Sequence, residues 1–368
     1  MLTLHENTII YILCPAKIVT GGIEAIHQLV HKLRRFGHDA RIVAKPMVDN
    51  PVLLQYRNYD VVFAKEVIDH ERNILIASEV DPRGLNAYRS IQKALWWLSV
   101  DNHEALKETF QFGHPDTASV VHFVQSAYAA SFLQSRGQAS FAYLSDYLHP
   151  AYFRRVEPAR KNNVVLYTPV KGAQPFIDRL QRADPSIHWL PLKGMIRKRH
   201  ARAMRQGKVY VDFGRHPGKD RQPREAVVNG CCVLVGLAGA ARFAADVPIP
   251  EHYKFDLEQL EMDRVLETIR ACLFSYEKRI HDFDDYANFA RQDEQRFEEE
   301  IKAVFGAKPC QPKPMVAVKM ANVLAFSQQN DWFTTSRGLM NELLPLAVTR
   351  WSKRLYLTAR GGGTAAGR

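Results

Sequence analysis

The segment 213–225 concentrates side chains that can bind a diphosphate. Its loop carries Lys219, Arg221 and Arg224 among glycines and prolines. A helix is predicted to begin near Pro223, since proline favours the first helical turn. Main-chain N–H groups at a helix N-terminus and the forked donors of arginine both attract phosphate oxygens. The pattern therefore predicts an anion-binding site, with an ordinary solvated loop as the alternative.

Glu225 follows these cations in the first turn of the predicted helix. A carboxylate there can accept hydrogen bonds from both hydroxyl groups of a ribose, as an acidic residue does in dinucleotide-binding folds. Alternatively, its charge only complements the positive end of the helix dipole. Beside the cationic loop, Glu225 favours a nucleotide as the ligand.

Three glycine-containing turns follow predicted strands, where ligands bind in open α/β sheets. A glycine in such a turn lets the backbone approach a phosphate or a base closely. An ordinary tight turn or an exposed lysine explains each of them about as well. The residues are Gly21 and Gly22, Lys171 and Gly172, and Lys193 and Gly194.

Asp101 and His103 follow the predicted strand at 93–98. They are candidates for orienting an acceptor hydroxyl group or for taking its proton as a base. A helix cap is an equally good explanation. Asp282 and Asp284 have the spacing of a metal-binding carboxylate pair, but they lie among predicted helices, where an N-cap explains them better. We therefore predict no metal site.

Short apolar strands alternate with helices along the chain, a pattern typical of a doubly wound parallel sheet. The pattern restarts after the polar segment 150–163, which predicts two α/β domains. We place an N-terminal domain at 1–152, a C-terminal domain at 160–306 and a basic, partly disordered tail at 307–368. The predicted strands are 8–14, 39–44, 59–63, 73–77, 93–98, 120–124, 164–167, 187–190, 209–213 and 231–235. The predicted helices include 126–136, 263–276 and 284–305, together with one that ends at Gly37 and one that ends at Gly230.

The order of these features resembles the donor site of GT-B glycosyltransferases. In their large retaining family a strand, a loop, a Glu-Ala pair, a glycine and an apolar strand follow one another, as Glu225, Gly230 and the strand after it do here. That family carries another glutamate earlier in the loop, where this chain has Pro217. The loop instead is similar to the His-Pro variant of polysaccharide-assembly glycosyltransferases. Asp212 and His216 are then the candidate catalytic residues.

The resemblance implies two Rossmann-like domains facing a central cleft, with a C-terminal helical extension. It implies transfer of a sugar from a nucleoside-diphosphate sugar to a glycan or lipid-linked acceptor in surface polysaccharide biosynthesis, with retention of configuration. Lys171, Lys219, Arg221 and Arg224 would neutralise the leaving diphosphate. The acceptor would bind the N-terminal domain, and no cofactor is expected.

Three alternatives stay open. An inverting enzyme would need a base on the N-terminal domain, for which Asp101, His103 and Glu24 are the candidates. A nucleotide-sugar 2-epimerase shares the architecture and needs no acceptor. A non-catalytic subunit that binds a sugar nucleotide or a glycan is the third, and the proline at position 217 favours it.

The formal net charge of +11 and the isoelectric point near 9.4 favour anionic partners. Segment 309–368 holds eight Lys or Arg and two Asp or Glu, so about +6 lies there. We see no nucleic-acid recognition module and expect no nucleic-acid partner. The apolar and basic stretch 339–357 is a candidate for peripheral contact with an anionic membrane.

The five cysteines are scattered along the chain. This predicts reduced thiols instead of a disulfide framework or a metal site. The apolar run at 8–15 is too short for a signal peptide or a membrane span. We therefore expect a cytoplasmic protein, in peripheral contact with the inner face of a membrane at most.

Overall fold

The computed structural model describes residues 2–46, 53–105, 110–154, 157, 160–170, 172–257 and 262–307. Two β-sheets dominate this part of the chain. The strands are β1 (Ile9–Pro15), β2 (Asp39–Lys45), β3 (Ile74–Ser78), β4 (Gln92–Trp97), β5 (Val121–Val124), β6 (Ala142–Tyr143), β7 (Asn162–Tyr167), β8 (His188–Pro191), β9 (Gly207–Asp212), β10 (Cys232–Gly236) and β11 (Lys254–Phe255).

The first sheet has the strand order β2-β1-β3-β4-β5-β6, and the second has the order β11-β10-β9-β7-β8. Neighbouring strands are parallel throughout both sheets. We call the six-stranded sheet with the helices on it the first unit, and the five-stranded sheet with its helices the second unit. This confirms the predicted fold of two Rossmann-like α/β domains.

Helices connect the strands, as parallel neighbours require. The α-helices are α1 (Gly21–Arg35), α2 (Val100–Ala105), α3 (Ala127–Ser135), α4 (Gln174–Ala183), α5 (Arg197–Gln206), α6 (Arg221–Val228), α7 (Met262–Phe274), α8 (Tyr276–Arg279), α9 (Asp284–Arg291) and α10 (Asp293–Phe305). None of the helices in the described ranges combines the length and the hydropathy that crossing a bilayer demands.

The predicted strands are recognisable because each carries a run of apolar residues. All five residues of β3 and all five of β10 are buried, as strands covered on both faces by helices must be. The first sheet therefore separates two hydrophobic cores, and the second sheet anchors a larger one. The four described cysteines are buried free thiols, as predicted.

Local signals set the ends of the helices beside the sheets. The side chain of Thr20 accepts a hydrogen bond from the Ile23 amide and caps the N-terminus of α1. Gly37 has a φ of +84° just beyond the C-terminus of α1, and Gly230 has a φ of +72° beyond α6. Both are left-handed positions that favour glycine, so the two predicted helix ends are confirmed.

The structure differs from the predicted elements in several places, among them the short strands β6 and β11, which were not predicted. Segment 59–63 is not a strand, because only an isolated bridge joins Phe63 to Ile42. The predicted helix 284–305 is two helices, α9 and α10, which meet at Gln292. Helix α5 was not predicted, since its ten residues carry almost no apolar periodicity.

Helix α10 returns from the second unit to the first. Its side chains Phe297, Ile301 and Phe305 are buried in the core beside β1 and α1. Lys32 of α1, itself buried, lies 2.5 Å from carboxylate oxygens of both Glu294 and Glu298. The last described helix therefore binds the two units together.

Gly218 of the second unit lies in close contact with the backbone of the first unit. A Cβ at this position would lie 2.0 Å from the main-chain oxygen of Leu98 in the first unit. We expect Gly218→Ala to lower the thermal unfolding midpoint by on the order of 5 °C, because overpacking costs about 1–3 kcal/mol. Gly22→Ala is the control, since its Cβ would make an ordinary 3.5 Å contact with Leu98. Equal midpoints for both variants would contradict this packing.

Candidate functional site

Each sheet contains a point where the winding direction of the chain reverses. In the first sheet β1 lies between β2 and β3, and in the second β7 lies between β8 and β9. Ligands of open α/β sheets bind in the crevice at the carboxyl ends of such strands. Gly21, which follows β1, lies against Arg221, because a Cβ added to the glycine would be 3.4 Å from Cδ of that side chain. The two crevices therefore meet at this contact.

Glu24 lies in the first turn of α1 and is buried. Its Oε1 accepts hydrogen bonds from the Tyr59 hydroxyl and from Nη2 of Arg197, both at 2.8 Å. Its Oε2 accepts a hydrogen bond from Nη1 of Arg221 at 2.6 Å. One carboxylate of the first unit thus holds two guanidinium groups of the second unit.

Asp146 joins α6 to the first unit through two arginines. Its Oδ2 accepts from Nε of Arg221 and its Oδ1 from Nη2 of Arg224, each at 2.7 Å. Burial acts to raise the pKa of this carboxyl, but Arg224, Arg221 and Lys219 outweigh burial and hold the pKa below its usual value. Asp146 is therefore an ionised group that balances buried cations.

Two further predicted phosphate ligands, Lys219 and Arg224, are also paired with a carboxylate. Nη1 of Arg224 donates to Oδ2 of Asp293 at 2.7 Å, and Nζ of Lys219 donates to Oδ1 of the same residue at 3.0 Å. Both cations are buried, and no part of Arg224 is exposed to solvent. Phosphate binding by Lys219 and Arg224 stays a prediction, and it requires these ion pairs to rearrange.

Glu225 lies on α6 beside a buried histidine. Its Oε2 is 3.7 Å from Nδ1 of His200, which forms a hydrogen bond of 3.0 Å with the Tyr152 hydroxyl. Burial raises the pKa of Glu225 to about 7, although the charge of Arg221 opposes the shift. Burial lowers the pKa of His200 to about 4. Glu225 therefore changes charge near neutral pH next to an uncharged imidazole.

Asp212 ends β9, and His216 lies in the loop that follows this strand. Nδ1 of the buried His216 is 3.0 Å from Oδ2 of Asp220, and Nε2 is 3.2 Å from the main-chain oxygen of Asp212. One ligand atom from each of these three residues lies within 4.8 Å of the others, so they are the described group able to hold a metal ion. Their contacts with one another explain the arrangement without an ion. The absence of a metal stays a prediction.

A hydroxyl cluster connects the ends of β7 and β9 to α6. The Tyr210 hydroxyl donates to Oδ2 of Asp212 at 3.1 Å and lies 2.9 Å from Oε1 of Gln222. Thr168, the residue after β7, contacts both Tyr210 and Gln222. The cluster fixes the start of α6 over the carboxyl ends of these strands.

The predicted turn residues have different positions. Gly22 lies in the first turn of α1, and a Cβ added to it would be 3.5 Å from Cδ1 of Leu98. Gly172 and Gly194 have φ angles of +89° and +68° and no atom within 4 Å of an added Cβ, so both lie in open turns. Lys193 is exposed. Lys171 lies outside the described residues.

Asp101 and His103 lie on α2 of the first unit. Oδ1 of Asp101 accepts a hydrogen bond from the Tyr128 hydroxyl at 2.7 Å. His103 is buried against Trp97, and its Nδ1 is 3.0 Å from the main-chain oxygen of Glu79. Burial lowers the pKa of His103. Among the described residues, no hydrogen bond joins either of them to the arginines of α6.

Sequence reasoning missed three residues of this site. Asp146, Asp293 and Arg197 make contacts between the units, and Glu24 was weighed only as a base. The three-residue cationic run that opens α5 was a signal for Arg197, because it follows a predicted strand and turn. No local pattern marks Asp146 or Asp293, whose partners are distant in the sequence.

Solved structures resemble this fold at low sequence identity. A glycosyltransferase from Rickettsia africae superposes with a TM-score of 0.55 and 12% identity over 81% of this chain and 100% of the other. Anabaena HepE, in complex with UDP and glucose, superposes with a TM-score of 0.57 and 13% identity over 80% of this chain and 98% of the other. The glycosyltransferase WaaG, which is involved in lipopolysaccharide biosynthesis, superposes with a TM-score of 0.51 and 13% identity over 81% of this chain and 100% of the other.

These similarities concern the fold, which is the GT-B arrangement of two Rossmann-like domains. No known protein family matches the sequence. No curated protein sequence matches it either. The function must therefore be argued from the residues of the site.

The buried carboxyl of Glu225 predicts a dependence of stability on pH. Its folded pKa of about 7 exceeds the ordinary value of 4.5. The folded state therefore keeps a proton that the unfolded state releases, so this contribution is complete below pH 4.5 and is lost as the pH rises towards 7. We expect the unfolding midpoint of Glu225→Gln to rise relative to the parent protein between pH 5 and 8, by several degrees.

The exposed Glu267→Gln is the control for this measurement. Its midpoint is expected to follow that of the parent protein across the same pH range. A Glu225→Gln profile that also stays parallel to the parent would show that Glu225 is ionised in the folded protein at acidic pH.

Proposed function

We propose that this protein transfers a sugar from a nucleoside-diphosphate sugar to a glycan or lipid-linked acceptor. The observation that carries the proposal is that Arg197 and Arg221 both donate hydrogen bonds to the carboxylate of Glu24. In the first unit this contact follows the carboxyl end of β1, and in the second it follows those of β8 and β9. Two guanidinium forks directed at one anion also suit the oxygens of a diphosphate.

Glu24 occupies the position that we assign to the donor diphosphate. When the nucleotide binds, its phosphate oxygens replace the carboxylate oxygens on Arg197 and Arg221, with Gly21 close enough for main-chain contact. The exchange keeps both guanidinium groups paired with an anion. The Glu24 carboxylate then turns towards the Tyr59 hydroxyl, which it already contacts.

The remaining predicted residues take roles around this position. Glu225, one turn along α6 from Arg221, accepts hydrogen bonds from the ribose. Lys171, Lys219 and Arg224 add positive charge against the leaving diphosphate, whose charge grows in the oxocarbenium-like transition state. Gly172 lies beside Lys171 at the phosphates, and Lys193 and Gly194 border the nucleotide base.

The reaction that we propose is a hexosyl transfer with retention of configuration and without a metal ion. The arginines of α5 and α6 supply the positive charge that a metal would bring to the phosphates. Asp212 and His216 are the candidate catalytic residues, and they need the loop after β9 to open because both are buried. Asp101 and His103 are the candidates if configuration is inverted. The location that we propose is the cytoplasm.

The exchange of anions at Arg221 predicts opposite effects for two variants. We expect Arg221→Met to weaken the binding of a nucleoside diphosphate at least about tenfold, because it removes a charge-assisted hydrogen bond. Glu24→Gln should strengthen binding by a similar factor, since it removes the competing carboxylate. Thermal-shift titrations with UDP, GDP and ADP, with and without the sugar, measure both effects.

The exposed Arg72→Met serves as the control for these titrations. The unfolding midpoint of each variant without ligand shows whether its fold is intact. If Glu24→Gln folds normally and binds nucleotide no better than the parent, Glu24 does not compete for the phosphate position.

A turnover assay separates the proposed function from its alternatives. Incubation with a radiolabelled nucleotide sugar that binds, with and without a lipid-linked or oligosaccharide acceptor, is expected to give transfer only when acceptor is present. Release of a free epimer without acceptor would identify an epimerase. Binding without any turnover would identify a non-catalytic subunit.

A further inference from the structure

Helix α5 is a cationic helix without acidic residues. Its ten residues include five Lys or Arg and no Asp or Glu. One face is buried through Ala201, Ala203 and Met204, which join the core of the second unit. The opposite face exposes Lys198, Arg199 and Arg202 to solvent.

The cations of this face lie close to one another and to Arg154. Within the described part of the chain, no carboxylate forms an ion pair with Lys198, Arg199, Arg202, Arg205 or the neighbouring Arg154. Burial and the adjacent guanidinium groups of Arg154 and Arg202 lower the pKa of Arg205. Like charges therefore gather here, which costs free energy unless an external anion binds.

Apolar side chains stand exposed at both ends of the same surface. Ile196, directly before α5, is 67% exposed. Phe153 is 42% exposed and precedes Arg154, and the main-chain oxygen of Ala151 in the same turn lies 3.5 Å from Nη1 of Arg205. A partner that offers both negative and apolar groups would remove these side chains from water while it pairs the cations.

We propose that this α5 surface, formed by Phe153, Arg154, Ile196, Lys198, Arg199 and Arg202, docks on an anionic lipid bilayer. Lysine and arginine are attracted to the negative headgroups, and the two apolar side chains enter the headgroup region, as on interfacial helices. A nucleic acid or an anionic glycan would satisfy the cations but would leave Ile196 in water.

The position of the surface connects it to the candidate site. Arg197, the first residue of α5, contacts Glu24 across the two units. A bilayer on the α5 surface would therefore lie beside the opening between them, where a lipid-linked acceptor can enter without leaving the membrane. Docking itself does not depend on the proposed transfer reaction.

Vesicle co-sedimentation of the full chain tests this proposal. We expect binding to vesicles of phosphatidylcholine with 30% phosphatidylglycerol, weaker binding in 0.5 M NaCl, and little binding to phosphatidylcholine alone. The triple variant Lys198→Glu, Arg199→Glu, Arg202→Glu is expected to lose at least about tenfold in partitioning. Ile196→Ser should weaken binding without changing its dependence on salt.

The matched control reverses three exposed charges elsewhere, Arg72→Glu, Arg89→Glu and Lys278→Glu, so its net charge equals that of the α5 variant. We expect this control to keep most of the vesicle binding. Equal losses in both variants would overturn the proposal, because they would show a general charge effect. Unchanged binding of the α5 variant would also overturn it and place the lipid contact elsewhere, including segment 339–357.

Two further measurements keep the outcomes distinct. Binding of the parent protein to soluble polyphosphate, but not to anionic vesicles, would overturn the proposal in favour of a soluble polyanion. The thermal shift with nucleoside diphosphate is measured on the same variants. A variant that loses vesicle binding and keeps the nucleotide response separates the α5 surface from the donor site.

Discussion

The carboxylate of Asp146 is the group on which the arrangement of the two units depends. It accepts hydrogen bonds from Arg221 and Arg224 where neither Asp146 nor Arg224 is exposed to water. A buried ion pair adds little net stability, but the loss of one partner is costly, because an uncompensated charge remains inside. Helix α6 can therefore hold its two arginines only while the segment after β6 lies against it.

This constraint explains why the site is both cationic and closed. The carboxylates of Glu24, Asp146 and Asp293 face the side chains of Arg197, Arg221, Arg224 and Lys219. A ligand that carries its own negative charges can exchange with a carboxylate that lies at the edge of this network. Glu24 is at that edge, since its side chain is 10% exposed, whereas those of Asp146 and Asp293 are enclosed. The network thus favours an anionic ligand at one defined position.

The sequence predicted those parts of the fold that depend on local chemistry. Apolar runs predicted the buried strands, and Gly37 and Gly230 predicted helix ends, because each needs only its own backbone or its own neighbours. Segment 59–63 was predicted wrongly as a strand, because Tyr59 is buried through packing and not through pairing. Glu24, Asp146 and Asp293 acquire their roles from partners more than 60 residues away in the chain, and no local pattern carries that information.

Helix α10 decides which movements the two units can make. Its first residue, Asp293, holds Lys219 and Arg224 of the second unit, while Phe297, Ile301 and Phe305 are packed in the core of the first. The loop after β9 is thereby tied to the first unit at one end of the crevice. We expect an opening that admits the proposed nucleotide sugar to pivot about α10 and to separate the contact of Glu24 with Arg197 and Arg221. Such a pivot would break the contact of Glu24 with the two arginines before it breaks the buried ion pairs of Asp146 and Asp293. The first contact to open would then be the one that we assign to the donor.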